Sequence, residues 1–87
     1  MNPASQPKFG KGVKLRFDPD GGAMLLVPEG ALVLNPPAAA ALALVNGERT
    51  FASIVETVVE EFEVAPERAS EEIGALFERL TERGFVR

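Results

Sequence analysis

The residues between Pro28 and Pro37 constrain the fold more than any other part of the sequence. A short apolar run, residues 31–34, begins after a Pro-Glu-Gly turn signal and stops at Asn35, which is followed directly by two prolines. Asparagine is a favoured helix cap because its side-chain oxygen accepts from free backbone N–H groups. Proline fits the first helical turn because it has no N–H to satisfy. The stretch therefore predicts a strand that leads directly into a helix.

Two more strands are predicted before this stretch. Val13, Leu15 and Phe17 alternate with basic residues and therefore fall on one face of a half-buried strand. A turn rich in Asp and Gly, residues 18–22, separates it from a second strand over residues 23–27. Short links favour antiparallel neighbours, so we expect a three-stranded meander whose first and third strands are edges.

Three helices are predicted after Asn35. The first is alanine-rich, spans residues 36–45 and ends at an Asn-Gly pair. Thr50 is placed to cap a second helix, whose apolar residues follow the helical spacing i, i+3, i+4 and i+7. The third helix begins near Pro66 and ends at Gly84. Three strands followed by three helices indicate the α+β class, and the helical half resembles a winged helix-turn-helix.

The length of the chain allows one small domain. Its 87 residues have room for a single core, which we assign to residues 13–87. Residues 1–12 contain two prolines and two glycines and show little periodicity. We expect them to form a flexible or loosely docked N-terminal arm.

Composition argues against several classes of site. The chain has no cysteine and no histidine, which removes the thiol nucleophile, the commonest metal ligand and the usual general base. We therefore expect neither a hydrolytic nor a metal-dependent enzyme, and no bound metal or cofactor. No apolar run approaches the roughly 18 residues of a membrane span, and the first residues lack a secretion signal, so we expect no membrane partner and a cytoplasmic location.

The charge pattern argues against nucleic acid as a partner. The formal net charge is −4, and the third predicted helix carries five glutamates against three arginines. Such a surface repels phosphate. A winged-helix regulator that binds DNA is kept as the alternative function.

The third predicted strand raises a question that the residues alone leave open. Its apolar run carries no charge or proline that would protect an exposed edge from another chain. Either a later helix covers this edge, or the edge is a template on which an incoming strand completes the hydrogen bonds. An exposed apolar edge also permits a homodimer.

The sequence resembles the PqqD family of pyrroloquinoline quinone biosynthesis over residues 12–86. The order and spacing of several short motifs carry the resemblance. They are Gly12-Val13-Lys14-Leu15-Arg16-Phe17-Asp18, the turn Pro28-Glu29-Gly30 leading to Leu34-Asn35, the pair Asn46-Gly47, Ile54, and the terminal Arg83-Gly84-Phe85-Val86. The chain departs from the family pattern at Pro37, where a small hydroxyl residue is expected, and at Val45-Asn46.

The resemblance implies a non-catalytic peptide chaperone, a recognition element for a ribosomally made precursor peptide. It implies that the peptide PqqA adds as a strand to the third strand, beside the third helix, and is presented to the radical S-adenosylmethionine enzyme PqqE. A recognition element of another modified-peptide pathway is the related alternative. The implied binding residues are Ala31, Leu32, Val33 and Leu34 on the strand and Arg68, Glu72, Ala75, Phe77 and Arg79 on the helix.

Overall fold

The computed structural model describes residues 1–87 and places three strands before three helices. The strands form one antiparallel sheet in the order β1-β2-β3, so the predicted α+β meander is confirmed. The elements are β1 (Lys14–Phe17), β2 (Ala23–Val27), β3 (Gly30–Leu34), α1 (Pro36–Ala43), α2 (Phe51–Phe62) and α3 (Pro66–Glu82).

Side-chain caps set the starts of the first two helices. The Asn35 side chain accepts a hydrogen bond from the Ala38 N–H at 2.9 Å, and the Thr50 hydroxyl accepts from the Ser53 N–H at 3.1 Å. Each cap satisfies a backbone donor that has no partner within the helix. Both caps were predicted from the sequence, and both are confirmed.

The first helix ends two residues earlier than predicted. The N–H groups of Leu44 and Val45 bond the carbonyls of Ala41 and Leu42, three residues back, at 3.1 Å each. This spacing belongs to the tighter 3₁₀ turn that often finishes an α-helix. Residues 44 and 45 therefore continue the chain direction of α1 (Pro36–Ala43) without α-helical bonding.

The core lies where one face of the sheet meets the three helices. Leu25 in the central strand, Ile54 in α2 and Phe77 in α3 are each fully buried. The rings of Phe51 and Phe77 meet edge to face with their centroids 5.6 Å apart, the arrangement that aromatic quadrupoles favour. No polar or charged side chain is buried, so the core is held by apolar packing alone.

One predicted core position lies mostly outside the core. Val13 is buried and Leu15 is half-buried, but the Phe17 side chain on the same face is 60% exposed. Phe17 is the last residue of an edge strand, so it has a neighbouring strand on one side only.

The N-terminal arm is docked in the structure and does not hang free. Lys8 and Arg87 exchange backbone hydrogen bonds of 3.1 and 2.8 Å, and the Gly10 N–H donates to the Phe85 carbonyl at 2.8 Å. Pro7 is fully buried. We expected a flexible or loosely docked arm because residues 1–12 show little periodicity. Periodicity reflects local structure only, so it cannot reveal that these residues bond the other end of the chain.

None of the three helices combines the length and the apolar character that crossing a membrane requires.

Candidate functional site

The third strand is a free sheet edge. It pairs with β2 (Ala23–Val27) on one side, and no strand lies on its other side. In an antiparallel ladder, successive residues alternate between bonding one neighbour and pointing away from it. The two-residue link after Val27 closes on the pair Val27–Gly30, which sets the phase of the alternation.

That phase identifies the unpaired backbone groups. Gly30, Leu32 and Leu34 bond β2, so the N–H and C=O groups of Ala31 and Val33 point to the open edge. The opposite hairpin agrees with this assignment. There the Asp18 N–H donates to the Gly22 carbonyl at 2.8 Å. By the same alternation, the backbone N–H and C=O groups of Met24 and Leu26 bond β1 (Lys14–Phe17). The backbone groups of the alternate residues of β2 therefore bond β3 (Gly30–Leu34).

Side chains of the edge strand divide between two faces. Leu32 and Leu34 lie opposite the buried Leu25 and Ala23, so they share the face that meets the helices. Val33 points to the outer face of the sheet and is 81% exposed, and Leu32 is 39% exposed. The strand therefore presents apolar side chains and unpaired backbone groups at the same edge.

A cleft separates this edge from α3 (Pro66–Glu82). It consists of two adjoining hollows of about 410 and 300 Å³. Both hollows are lined by Val33 and Leu34 from the strand and by Leu76 and Arg79 from the helix. We call the pair of hollows the β3–α3 cleft. A single extended segment laid along the strand edge would contact both hollows.

The helical wall of the cleft follows from the sequence spacing of α3. Ile73, Phe77 and Leu80 are buried and turn toward the core. Residues at positions i, i+3, i+4, i+7 and i+11 share a different face of a helix. On this face the cleft-lining residues are Glu72, Ala75, Leu76, Arg79 and Arg83.

The structure brings most of the predicted helix residues to the cleft. Glu72, Ala75 and Arg79 line the larger hollow. Arg68 lies farther toward the start of α3, where its guanidinium bonds the Glu72 carboxylate at 3.2 Å. It lines a small side hollow of about 50 Å³ together with Glu72.

Phe77, like Arg68, lines neither hollow of the cleft. It is fully buried against Phe51 in the core, because it belongs to the inward-facing stripe of α3. Leu76 and Arg83 line the cleft and were not identified from the sequence. Their spacing of four residues from Glu72 and Arg79, respectively, would have identified both.

The unpaired charge of the cleft is positive, although the whole chain carries −4. The ion pairs of the structure join Met1 to Glu78, Arg16 to Asp18 and Arg68 to Glu72, so Arg79 and Arg83 have no carboxylate partner. The pKa of the Glu78 carboxyl is lowered by its hydrogen bond to the terminal ammonium and by the charge of that group. Glu78 is thus paired with the N-terminus and lines neither hollow of the cleft.

Comparison with known proteins gives one consistent family. The family described as Coenzyme PQQ synthesis protein D (PqqD) matches residues 22–86. A protein of Pseudomonas syringae named PqqA binding protein is 35% identical over 65 residues, 74% of this chain and 69% of that protein. Its namesake from Stutzerimonas stutzeri is 36% identical over 81 residues, 92% of this chain and 87% of that protein.

A solved structure has the same fold. The solution NMR structure of the PqqD truncation of Methylobacterium extorquens PqqCD has a TM-score of 0.76 and 27% identity, and it covers 100% of this chain and 99% of its own. That protein is described as a functional, stand-alone recognition element for ribosomally synthesized and post-translationally modified peptides. The range matched by the family includes β2, β3 and all three helices, and so contains both walls of the β3–α3 cleft.

Proposed function

The chain belongs to the PqqD family, and we propose that it is a non-catalytic chaperone that binds the precursor peptide PqqA and presents it to the radical S-adenosylmethionine enzyme PqqE. Relatives named as PqqA binding proteins and a structural neighbour described as a recognition element support peptide binding in pyrroloquinoline quinone biosynthesis. One observation of the structure supports the proposed binding mode, namely the free edge of β3 (Gly30–Leu34) beside an apolar cleft.

The peptide binds by adding a fourth strand to the sheet. Its backbone bonds the outward N–H and C=O groups of Ala31 and Val33, which gives affinity without dependence on side chains. Every second peptide side chain then enters the cleft, where Leu32, Leu34 and Leu76 offer apolar surface. The side chains between them lie on the outer face and stay accessible to an enzyme.

A chaperone of this kind acts by holding its peptide extended. Ordering the peptide before it meets the enzyme moves part of the entropic cost of binding to an earlier step. If the chaperone contacts both the peptide and the enzyme, it also raises the effective concentration of the peptide at the enzyme. Neither effect requires a catalytic group on this chain.

Proline substitution tests the strand addition. A proline has no N–H, so it removes one donor from whichever ladder its position serves. Val33→Pro should weaken binding of a fluorescent PqqA peptide by at least about tenfold in an anisotropy titration, with the sheet still folded. Leu32→Pro should instead disrupt the ladder to β2 and lower the unfolding temperature.

The opposite sheet edge supplies a matched control. The N–H of Phe17 points outward from β1 (Lys14–Phe17) by the same alternation, so Phe17→Pro removes a donor from the opposite edge of the sheet, at a residue that lines neither hollow of the cleft. This variant should bind the peptide as the parent does. If Val33→Pro folds and also binds normally, strand addition at β3 is wrong.

Two related outcomes are distinguished, one by the same titration and one by sedimentation. A chain that ignores PqqA but binds the precursor of another modified-peptide pathway would be the recognition element of that pathway. A homodimer formed through two β3 edges would use the same backbone groups as the peptide. Sedimentation would then show a dimer without peptide and its dissociation when peptide is added.

A further inference from the structure

Two arginines at one end of the β3–α3 cleft have no partner in the structure. Arg79 and Arg83 are exposed and form no ion pair. Arg79 lies in the last turn of α3, and Arg83 is the C-cap residue four positions later. The hollow that both of them line is otherwise apolar and contains no carboxylate. An unpaired cationic pair beside apolar surface is a recognition site for an anion that brings its own apolar neighbours.

The other end of the cleft has a different character. The larger hollow adds Asn35 and Glu72, and the Glu72 carboxylate is already bonded by Arg68. The charge of the cleft is therefore asymmetric along the strand, with free positive charge near Leu32 and a neutralised pair beyond Leu34. A peptide carrying one carboxylate would be held in one register by this asymmetry.

We propose that Arg79 and Arg83 determine peptide specificity by binding a carboxylate side chain that enters the cleft from the added strand. The inference rests on the proposed strand addition and goes beyond it by naming the chemistry of the recognised segment. That segment is extended, has apolar side chains at cleft-facing positions, and places an Asp or Glu at the cleft-facing position nearest the arginines.

Arginine suits this role better than lysine. Its planar guanidinium donates two parallel hydrogen bonds to one carboxylate, and the flanking Leu76, Leu80 and Phe85 give the hollow an apolar wall. A slip of one residue would turn the carboxylate to the outer face. The arginine pair therefore fixes the register that backbone bonding alone leaves free.

The arginines also lie near the end of α3, where positive charge stabilises the helix dipole. Loss of that stabilisation would lower the unfolding temperature of any arginine variant. It would not change the preference of the protein for one peptide over another. The test must therefore compare peptides as well as proteins.

A charge-swap titration separates these roles. The probes are the PqqA peptide and copies in which each carboxylate is replaced singly by its amide or by lysine. One replacement should weaken binding to the parent protein by about tenfold or more, the size expected for a charge-assisted hydrogen bond. R79E/R83E should lose affinity for unmodified PqqA and recover it for the lysine copy at that same position.

Matched variants complete the design. Lys11→Glu changes the charge of an exposed residue outside the cleft and should leave every affinity unchanged. The neutral R79Q/R83Q variant should bind PqqA more weakly than the parent does. This difference in affinity should shrink as the salt concentration rises, because salt screens the attraction between the arginines and the carboxylate in the parent complex.

The proposal is overturned if every single-amide peptide binds the parent as well as PqqA does, or if R79E/R83E shows no preference for any lysine copy. Either result leaves the outcome of the proline test at β3 unaffected, so failure of this inference and failure of strand addition are distinguishable.

Discussion

At the scale of single residues, two adjacent side chains of α3 (Pro66–Glu82) lie in different environments, one in the core and one in the cleft. Phe77 is fully buried against Phe51, whereas the adjacent Leu76 lines both hollows of the cleft. The sequence predicted the apolar stripe of this helix but not its rotation, since Leu76 and Phe77 are both apolar. A helix turns through about 100° per residue, so an error of one position moves a residue from the cleft to the core.

Truncating these two neighbours should separate binding from stability. Phe77→Ala removes a buried ring and should cost about 3–5 kcal/mol of unfolding free energy. Leu76→Ala trims a half-buried side chain and should cost about 1 kcal/mol, yet weaken peptide binding severalfold. Urea unfolding and peptide titration of both variants give the comparison. A Leu76→Ala variant with unchanged affinity would remove Leu76 from the binding surface.

At the scale of elements, local signals were sufficient to predict the order of strands and helices. The turn before β3 (Gly30–Leu34) and the caps at Asn35 and Thr50 are each determined by a few adjacent residues. The end of α1 (Pro36–Ala43) was predicted two residues late, because the Asn-Gly pair marks the end of the turn and not of the α-helix. The position of β3 at a sheet edge was predicted, but the residues of β3 do not encode which chain, if any, pairs with that edge.

The junction between β3 and α1 depends on one cap. Asn35→Ala removes the acceptor of the Ala38 N–H and should lower the unfolding free energy by about 1 kcal/mol. Asn35→Ser keeps an acceptor at the cap and should retain most of the stability. Chemical denaturation of the three proteins checks this order. Equal stability of the Ala and Ser variants would contradict the role of the cap.

At the scale of the whole molecule, the two ends of the chain are joined. The arm passes beside the terminal residues, with a bridge between Phe9 and Val86 and the Gly10 N–H bonded to the Phe85 carbonyl. Sequence reasoning missed this contact because pairing between distant segments leaves no local pattern. The same limit applies to the cleft, which exists only because α3 (Pro66–Glu82) lies beside the free edge of the sheet.

A single methyl group tests the docking of the arm. A Cβ at Gly10 would clash with the backbone carbonyl oxygen of Gly84, so Gly10→Ala should cost about 1–3 kcal/mol. Gly74→Ala is the control, since its Cβ would meet the Phe51 ring at an ordinary 3.7 Å. That change should stabilise the helix by up to about 1 kcal/mol. Thermal unfolding should therefore move in opposite directions for the two variants, and a neutral Gly10→Ala would show that the arm is not docked there.

Amide hydrogen exchange, read by NMR on the isotope-labelled chain, tests the central claim most directly. With PqqA peptide added to high micromolar concentration, the N–H groups of Ala31 and Val33 should become protected, and signals of residues 67–80 should shift. The free-edge amides of Leu15 and Phe17 on β1 should keep their exchange rates. Unchanged exchange at Ala31 and Val33, with no shifts across residues 67–80, would contradict strand addition at this edge.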